Sequence, residues 1–317
     1  MQAIAIDAGH GYVKGLDGQG QRVLFPSLIA IQSPTVDLGD LAQSQAIRID
    51  DTAYLVGDSA RSHATPLWSK NKSEDPDTLR LLLIAAAKLG AMGPVDLVTG
   101  LPLDWFGTGR KAFREALTGY GGSVQFPRRP AQRLWFERVK VLPQGVAAAS
   151  AVLASGEYEP GEYLIVDIGY RTTDYIVVTK TLDNTLDYDP NAAGSLERGM
   201  HEVSQHVAKA LTKSYQVSFS EAELENQTVV VIRGEKIDIS YRLHEARQAI
   251  GRRIAQELAT TLGPQVDKLM GIIAVGGGSE LMTTLLPIAI VPAQAQWANV
   301  LGYQMALGVV PSQSPVK

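Results

Sequence analysis

Ala3-Ile4-Ala5-Ile6-Asp7-Ala8-Gly9-His10-Gly11-Tyr12-Val13-Lys14 is an apolar run that meets one acid, turns through glycine and leaves on a second strand-forming run. Tyr163-Leu164-Ile165-Val166-Asp167-Ile168-Gly169 repeats that order 160 residues later in a chain of 317, and Tyr175 to Val178 follows it as Tyr12 to Leu16 follows the first. Short aliphatic runs separated by Gly-rich turns read as β-hairpins. A strand–Asp-x-Gly–strand unit recurring at half the chain length reads as a duplication, giving two similar domains that face each other. Two unrelated hairpins are the alternative, because Asp-x-Gly turns are common.

Outward from the first hairpin, Arg22 to Phe25 is a third strand, and residues 47–57 form a further hairpin turning at Asp50-Asp51. Asp77 to Leu89 is a helix capped by Asp75 or Asp77 and stopped by Gly90. Val95 to Thr99 is a buried strand, Gly109 to Leu117 a helix, and strands lie near 123–126 and 134–141. Pro143 stands where the next helix opens, with Ala147 to Leu153 continuing it. After a break at Gly156–Gly161, helices are expected over Leu196 to Thr212 and Ser220 to Glu225, the second opened by the capping box Ser220-x-x-Glu223. A hairpin over 228–240 turns at Arg233-Gly234-Glu235. The helix from Leu243 to Leu262 has apolar residues at 243, 246, 250, 254, 258 and 262, one face of a 3.6-residue period. Ile272 to Val275 is a strand running into Gly276-Gly277-Gly278, Ser279 caps the next helix and Ile288 to Val291 is the last strand. A helix over Gln294 to Leu307 precedes a frayed Pro-rich tail. A strand-rich start followed by alternating strands and helices is an α/β pattern with a mixed sheet.

Composition narrows the function. Hydrophobic residues at 45% and charged residues at 20% are ordinary globular usage. With 29 Lys and Arg against 33 Asp and Glu, the net charge is −4, which weighs against binding nucleic acid by bulk electrostatics. No Cys is present, so disulfides, thiolate nucleophiles and Cys-based metal sites are excluded. An acid at position 7 comes too early for a signal peptide, and the mid-chain apolar stretch Leu81 to Ala87 is far short of a bilayer span, so a cytoplasmic protein is expected. The Gly-x-x-x-x-Gly-Lys phosphate loop, Gly-x-Gly-x-x-Gly, Gly-x-Ser-x-Gly and His-Glu-x-x-His are all absent. The five His show no metal-ligand spacing, and His201 and His206 read as helix-surface residues. Arg128, Arg129, Arg133, Arg138 and Lys140, beside Trp135 and Phe136, read as the solvated face of a strand rather than a binding patch.

Three Gly-rich turns remain, each at the end of an apolar strand. Glycine lets phosphate oxygens approach backbone N–H groups closely. Two of the turns carry an acid, Asp7 and Asp167, and a pair of carboxylates suits a Mg²⁺ ion that keeps several of its waters. Lys14, seven residues beyond Asp7, can reach back to a phosphate. Together the turns describe a nucleotide clamp between two domains.

At these residues the sequence resembles the actin / sugar kinase / DnaK-type chaperone superfamily. Asp7 to Lys14 is similar to its first phosphate motif, Asp167-Ile168-Gly169-Tyr170-Arg171-Thr172-Thr173-Asp174 to the second, and Ala274 to Leu281 to the adenosine motif. Val141 to Ala148 and Asn299 to Leu307 are similar to the two connecting motifs, so all five occur in family order. Tyr54-Leu55-Val56-Gly57-Asp58-Ser59-Ala60 and Val98-Thr99-Gly100-Leu101-Pro102 look most like ParM-type bacterial and archaeal actin-like proteins.

The resemblance implies a two-domain actin-like fold, a duplicated RNase H-like α/β fold with a nucleotide cleft between the domains. The first domain would cover 1–155, with a small inserted subdomain over about 31–75; the second would cover 156–317, with a subdomain over about 200–262 and a C-terminal helix over about 294–308 packing back on the first. It implies an ATPase that polymerises into filaments, using ATP (or GTP) and Mg²⁺, for plasmid segregation or cytoskeletal positioning. Its partners would be copies of itself and a DNA-binding adaptor, with no direct nucleic-acid or membrane contact. Asp7 and Asp167 match the acids that hold Mg²⁺ through water, and Asp167 and Gln144 match the residues that activate and orient the attacking water. Lys14 matches the phosphate lysine. Gly9, His10, Gly11, Gly169, Tyr170, Arg171 and Thr172 fall in the phosphate loops, and Gly276, Gly277 and Gly278 match those lining base and ribose. Catalysis would be in-line attack on the γ-phosphate. His10 and Tyr170 depart from the small residues usual at their positions, which removes the hydroxyl contact to the γ-phosphate. The alternatives are a small-metabolite kinase, for which no further Asp stands out as a base, and a non-hydrolysing scaffold, against which Gln144 and the lack of an amphipathic membrane-targeting tail both argue.

Overall fold

Alternation of buried aliphatics with Gly-rich turns yields two sheets that begin alike. The structure is a computed structural model that describes residues 1–32, 45–64, 67, 69–154, 157–283 and 289–308. The chain divides into two units, Met1–Leu101 with Trp105–Pro143 and Val300–Lys317, and Pro102–Asp104 with Gln144–Asn299.

The first unit holds strands β1 (Gln2–Ala8), β2 (Tyr12–Asp17), β3 (Arg22–Pro26), β4 (Ile29–Ile31), β5 (Ile47–Ile49), β6 (Thr52–Val56), β7 (Gly93–Leu101), β8 (Gly121–Gln125) and β9 (Gln132–Pro143). They form one sheet in the order β3-β2-β1-β7-β9-β8-β5-β6-β4. β1, β2 and β3 are an antiparallel meander, whereas β7 and β9 run parallel to β1. The connection to β7 is helix α1 (Pro76–Lys88), which has Asp75 as its N-cap, the carboxylate accepting the Asp77 N–H, and Pro76 at its first position. Leu81 to Ala87 are buried all round, as a helix with no polar stretch in its middle must be. Helix α2 (Leu103–Leu117) starts six residues ahead of the Gly109 expected from sequence. Its first residues group with the second unit, where the Leu103 and Asp104 N–H groups donate to Asp174 and Ser195 (3.3 Å each). Those acceptors satisfy the helix start and tolerate Gly107 and Gly109 inside it.

Along β9 the register skips Glu137 between Phe136 and Arg138. This bulge keeps Leu134 and Phe136 before it, and Val139 and Val141 after it, on the core side. Arg133, Arg138 and Lys140 are therefore all exposed, and Arg138 pairs with Asp96 of β7.

The second unit holds α3 (Val146–Leu153), β10 (Gly161–Ile168), β11 (Thr173–Lys180), β12 (Leu186–Leu196), α4 (His201–Tyr215), α5 (Glu221–Leu224), β13 (Val229–Ile232), β14 (Glu235–Asp238), α6 (Ser240–Leu262), β15 (Gly271–Val275), α7 (Glu280–Thr283) and β16 (Ala289–Ile290). Its sheet, β12-β11-β10-β15-β16, has the topology of β3-β2-β1-β7-β9: a three-stranded antiparallel meander, then two parallel neighbours. The fold is thus an actin-like α/β fold in two units. Pro143 ends β9 rather than opening a helix, and Gly145, at φ 74°, is the N-cap of α3. The α3 alanines pack with Tyr163, Ile165 and Ile176 of the second sheet, so the division falls after Pro143 rather than at 155/156. Residues 186–196 form a third strand, and the helix expected from Leu196 begins only at His201. The capping box at Ser220 and Glu223 forms, and Arg233 and Gly234, both at positive φ, make the β13–β14 turn. Leu243, Ala246, Ile250, Ile254, Leu258 and Leu262 are the buried stripe of α6.

Helix α8 (Ala298–Met305) carries the boundary between the units, Asn299 grouping with the second and Val300 onward with the first. In the first unit Gln304 Nε2 donates to the Asp17 carbonyl (2.9 Å). The buried Tyr303 ring lies where a Cβ on Gly100 would be. Residues 33–44, 65, 66 and 68 of the inserted 31–75 region, residues 155 and 156, residues 284–288 with the start of the expected last strand, and the tail from 309 lie outside the described residues. Among the described residues no helix is long and apolar enough to cross a membrane.

Leu82 is fully buried in α1, so Leu82→Ala is expected to cost about 2–5 kcal/mol in urea unfolding. A loss under about 1 kcal/mol would mean that this helix is not packed as described.

Candidate functional site

The sequence-predicted residues fall into two groups, one in each unit. In the first, β1 delivers Asp7 buried at its end, and the β1–β2 register sets Lys14 directly across, with Nζ 3.5 Å from Asp7 Oδ2. Gly9, His10 and Gly11 form the turn between the strands. Ser27 ties that turn down, its Oγ donating to the Gly9 carbonyl (2.5 Å) and its N–H to the Gly11 carbonyl (2.8 Å). The His10 ring stands edge-on to Trp105, 5.6 Å between centroids. Sequence reasoning missed Lys72. Only 4% exposed, it donates from Nζ to the Ala8 carbonyl (2.7 Å), placing a buried cation beside the turn in addition to the half-buried Lys14.

In the second unit β10 delivers Asp167, again buried, and the β10–β11 register puts Asp174 directly across. The two hairpins are the same object: Asp7 faces Lys14, and the residues 160 further on, Asp167 and Asp174, face each other. A Cβ on Gly9 would come 3.0 Å from the Tyr12 carbonyl, and one on Gly169 the same distance from the Thr172 carbonyl. Where the first hairpin opposes acid with base, the second opposes acid with acid. Asp174 is 2% exposed, and its carboxyl is pushed up to about 7 by burial and by the Asp167 charge. Ser195 of β12 and the Leu103 N–H, both donating to Asp174 Oδ1, act in the opposite direction.

The turn itself is internally bonded, the Gly169 N–H donating to the Thr172 carbonyl (2.9 Å). Tyr170 is drawn toward the helices, its hydroxyl 3.4 Å from Glu221 Oε2 of α5, while its carbonyl accepts the His201 N–H and meets His201 Nδ1 at 2.8 Å. His201 is therefore buried at the start of α4 instead of lying on a helix surface, whereas His206 is exposed as expected. Arg171 is buried beside Glu197, with 3.9 Å between charged atoms. The third turn follows β15, the parallel neighbour of β10. Gly276, at φ 83°, lies so close to Asp167 Oδ1 that a Cβ there would overlap it, and the same Cβ would stand 2.6 Å from the Ile168 carbonyl. A Cβ on Gly277 would meet nothing within 4 Å, so that part of the turn is open. Gln144, at the end of the β9–α3 connection, is buried. Among the described residues no three His, Asp or Glu cluster to hold a bare metal ion.

Two outcomes test this geometry. The folded carboxyl of Asp174 titrates above its unfolded value near 3.8, so its stabilising contribution is complete below pH 4 and is lost as pH rises through about 7. Asp174→Asn is expected to flatten that loss, the variant gaining in urea midpoint over the parent between pH 5 and pH 8; parallel pH dependences would refute the shift. Gly276→Ala, strained by its φ and by Asp167, is expected to lower stability by about 2 kcal/mol or more, and a neutral effect would rule out the described turn.

A family model described as "Actin like proteins N terminal domain" matches residues 5–146, and one described as "Archaeal actin homologue MreB-like, C-terminal" matches residues 165–287. An archaeal actin homolog of Thermoplasma acidophilum is 27% identical over 327 aligned positions, covering 96% of this chain and 98% of the relative. In fold, the chain is similar to a ParM from Clostridium botulinum solved as a 15-stranded filament (TM-score 0.82, 21% identity, 96% and 98% covered). It is also similar to an archaeal actin homolog solved in complex with ADP (TM-score 0.79, 24% identity, 97% and 99% covered). With one actin-like model over its first half and another over its second, the chain belongs to the actin-like proteins.

Proposed function

We infer that this chain binds a Mg–nucleotide with both hairpins, hydrolyses it and assembles into filaments. The observation that carries the reading is the doubled hairpin, with a buried acid at the end of β1 and again at the end of β10, each followed by a glycine turn whose backbone is closely approached. The filament of the C. botulinum ParM and the ADP complex of the archaeal relative support it. ATP is the expected nucleotide, with GTP as the other candidate. The work done is positioning of DNA or of a cytoskeletal cargo, plasmid segregation among them, through an adaptor that binds the DNA.

Asp7 and Asp167 are the kind of ligands that suit a Mg²⁺ keeping most of its waters, and among the described residues no three His, Asp or Glu cluster for a bare ion. When bound, it supplies charge neutralisation on the phosphate oxygens. Asp7 and Asp167 would hold it through water, and Lys14 would add a positive charge at the phosphates. The Gly9–Gly11 and Gly169–Thr172 turns would cradle the phosphates, while Gly276 to Gly278 would face base and ribose. Gln144 would orient the attacking water, and Asp167 would accept its hydrogen. A small-metabolite kinase would need one more carboxylate facing a substrate hydroxyl. Asp174, the carboxylate across from Asp167, is enclosed and bonded to Ser195 and Leu103.

Light scattering with Mg-ATP, with ADP and without nucleotide tests the reading. Assembly on ATP that decays with phosphate release is expected; no assembly across salt and protein concentration would eliminate the filament function. Asp167→Ala is expected to keep nucleotide binding and lose about a hundredfold or more in turnover. Unchanged phosphate release in that variant would remove Asp167 from the catalytic role.

A further inference from the structure

We propose that Asn299 is a positioning residue that locks Gln144 and Asp167 into one geometry. The proposal rests on the hydrolytic reading above for what those two residues do, but the lock itself stands on geometry within the second unit. Asn299 is buried, and its side-chain amide is used at both ends. Its Oδ1 accepts the Gly145 N–H (3.1 Å), and its Nδ2 donates to Asp167 Oδ2 (2.5 Å).

The chemistry of the neighbours fixes the orientation of this amide. A backbone N–H can only donate, so it must face the oxygen; a carboxylate can only accept, so it must face the nitrogen. No other side chain of this length offers a donor and an acceptor on one rigid plane. Asp would set a carboxylate against Asp167, and an aliphatic residue would leave both the Gly145 N–H and Asp167 Oδ2 without this partner.

The N–H that Asn299 receives belongs to the peptide joining Gln144 to Gly145. The carbonyl of that same peptide accepts the Val146 N–H (2.8 Å), so the plane is held from both sides immediately after Gln144. Gly145 adopts φ 74°, a conformation that swings the chain from β9 into α3 and that only a held peptide keeps in place. At the other end, Asn299 occupies one oxygen of Asp167 while Gly276 closes over the other. One amide therefore sets the position of the Gln144 backbone relative to the Asp167 carboxylate across 23 residues of sequence. Misplacing either group by a fraction of an ångström is the kind of error that lowers turnover without lowering binding.

Asn299→Asp and Asn299→Ala, compared with the full parent chain, test this. The first is isosteric and keeps the acceptor for Gly145 while losing the donor to Asp167. The second loses both. Both are expected to lower kcat for Mg-ATP hydrolysis by about ten- to a hundredfold with KM within about threefold of the parent. Amide hydrogen exchange at Gly145, measured without nucleotide, should quicken about tenfold or more in Asn299→Ala and stay near the parent value in Asn299→Asp.

Parent-like kcat in both variants, turnover lost only in proportion to nucleotide binding, or unchanged Gly145 exchange in Asn299→Ala would each overturn the proposal. If the parent chain neither binds nor hydrolyses nucleotide, the hydrolytic reading falls, and the exchange measurement alone decides the lock: quickening confined to Asn299→Ala upholds it, and no quickening overturns it.

Discussion

A carboxylate buried at the end of a central strand needs something opposite it that offsets the loss of water. In the first unit Lys14 meets that demand by charge, across the strand pair from Asp7. In the second unit the same position is Asp174, and the demand doubles. Burial and the Asp167 charge push Asp174 up to about 7, Ser195 and the Leu103 N–H donate to Asp174, and Asn299 donates to Asp167. Ser195 requires β12 to continue as a strand to Leu196, and Asn299 requires α8 to begin where it does. Even Gly276 follows from it, since no side chain fits between that turn and Asp167. Much of the second unit around its first hairpin is arranged to keep two neighbouring acids underground.

Sheet topology supplies the direction of approach. β1 and β7, and likewise β10 and β15, run parallel, so the turn following each strand emerges at the same edge of its sheet. The Asp167 turn and the Gly276 turn are adjacent for that reason. Rigid strands set the acids, and the glycine turns lie directly beyond them.

The hairpins, α1, the α6 stripe, the capping box at Ser220 and the three glycine turns were legible because each is a local pattern: periodicity, a cap or a turn dipeptide. β12 was not, since the alternation in Leu186-Asp187-Tyr188-Asp189 stops at Pro190-Asn191, and the strand is held at the sheet edge by pairing with β11. The early start of α2 depends on acceptors from Asp174 and Ser195, some 70 to 90 positions away in sequence. Lys72 lies in Ser69-Lys70-Asn71-Lys72-Ser73-Glu74, where nothing separates a buried lysine from a solvated one, and Asn299 reads locally as an ordinary residue at a helix start. Asp174 had a signal that went unused: the offset relating Asp7 to Asp167 also relates Lys14 to Asp174.

A chain carrying one hairpin twice faces a sorting problem while it folds, because β1 is free to meet β11 before β2 is in place. The residue after Lys14 is Gly15, and a Cβ there would stand 2.8 Å from the Val23 side chain of β3. The residue after Asp174 is Tyr175. Were β11 to take the place of β2, a phenol ring would have to occupy space that excludes even a methyl group, and Asp7 would face an acid in place of its lysine. Sterics and charge thus both oppose such an exchange and favour each copy of the hairpin closing on itself.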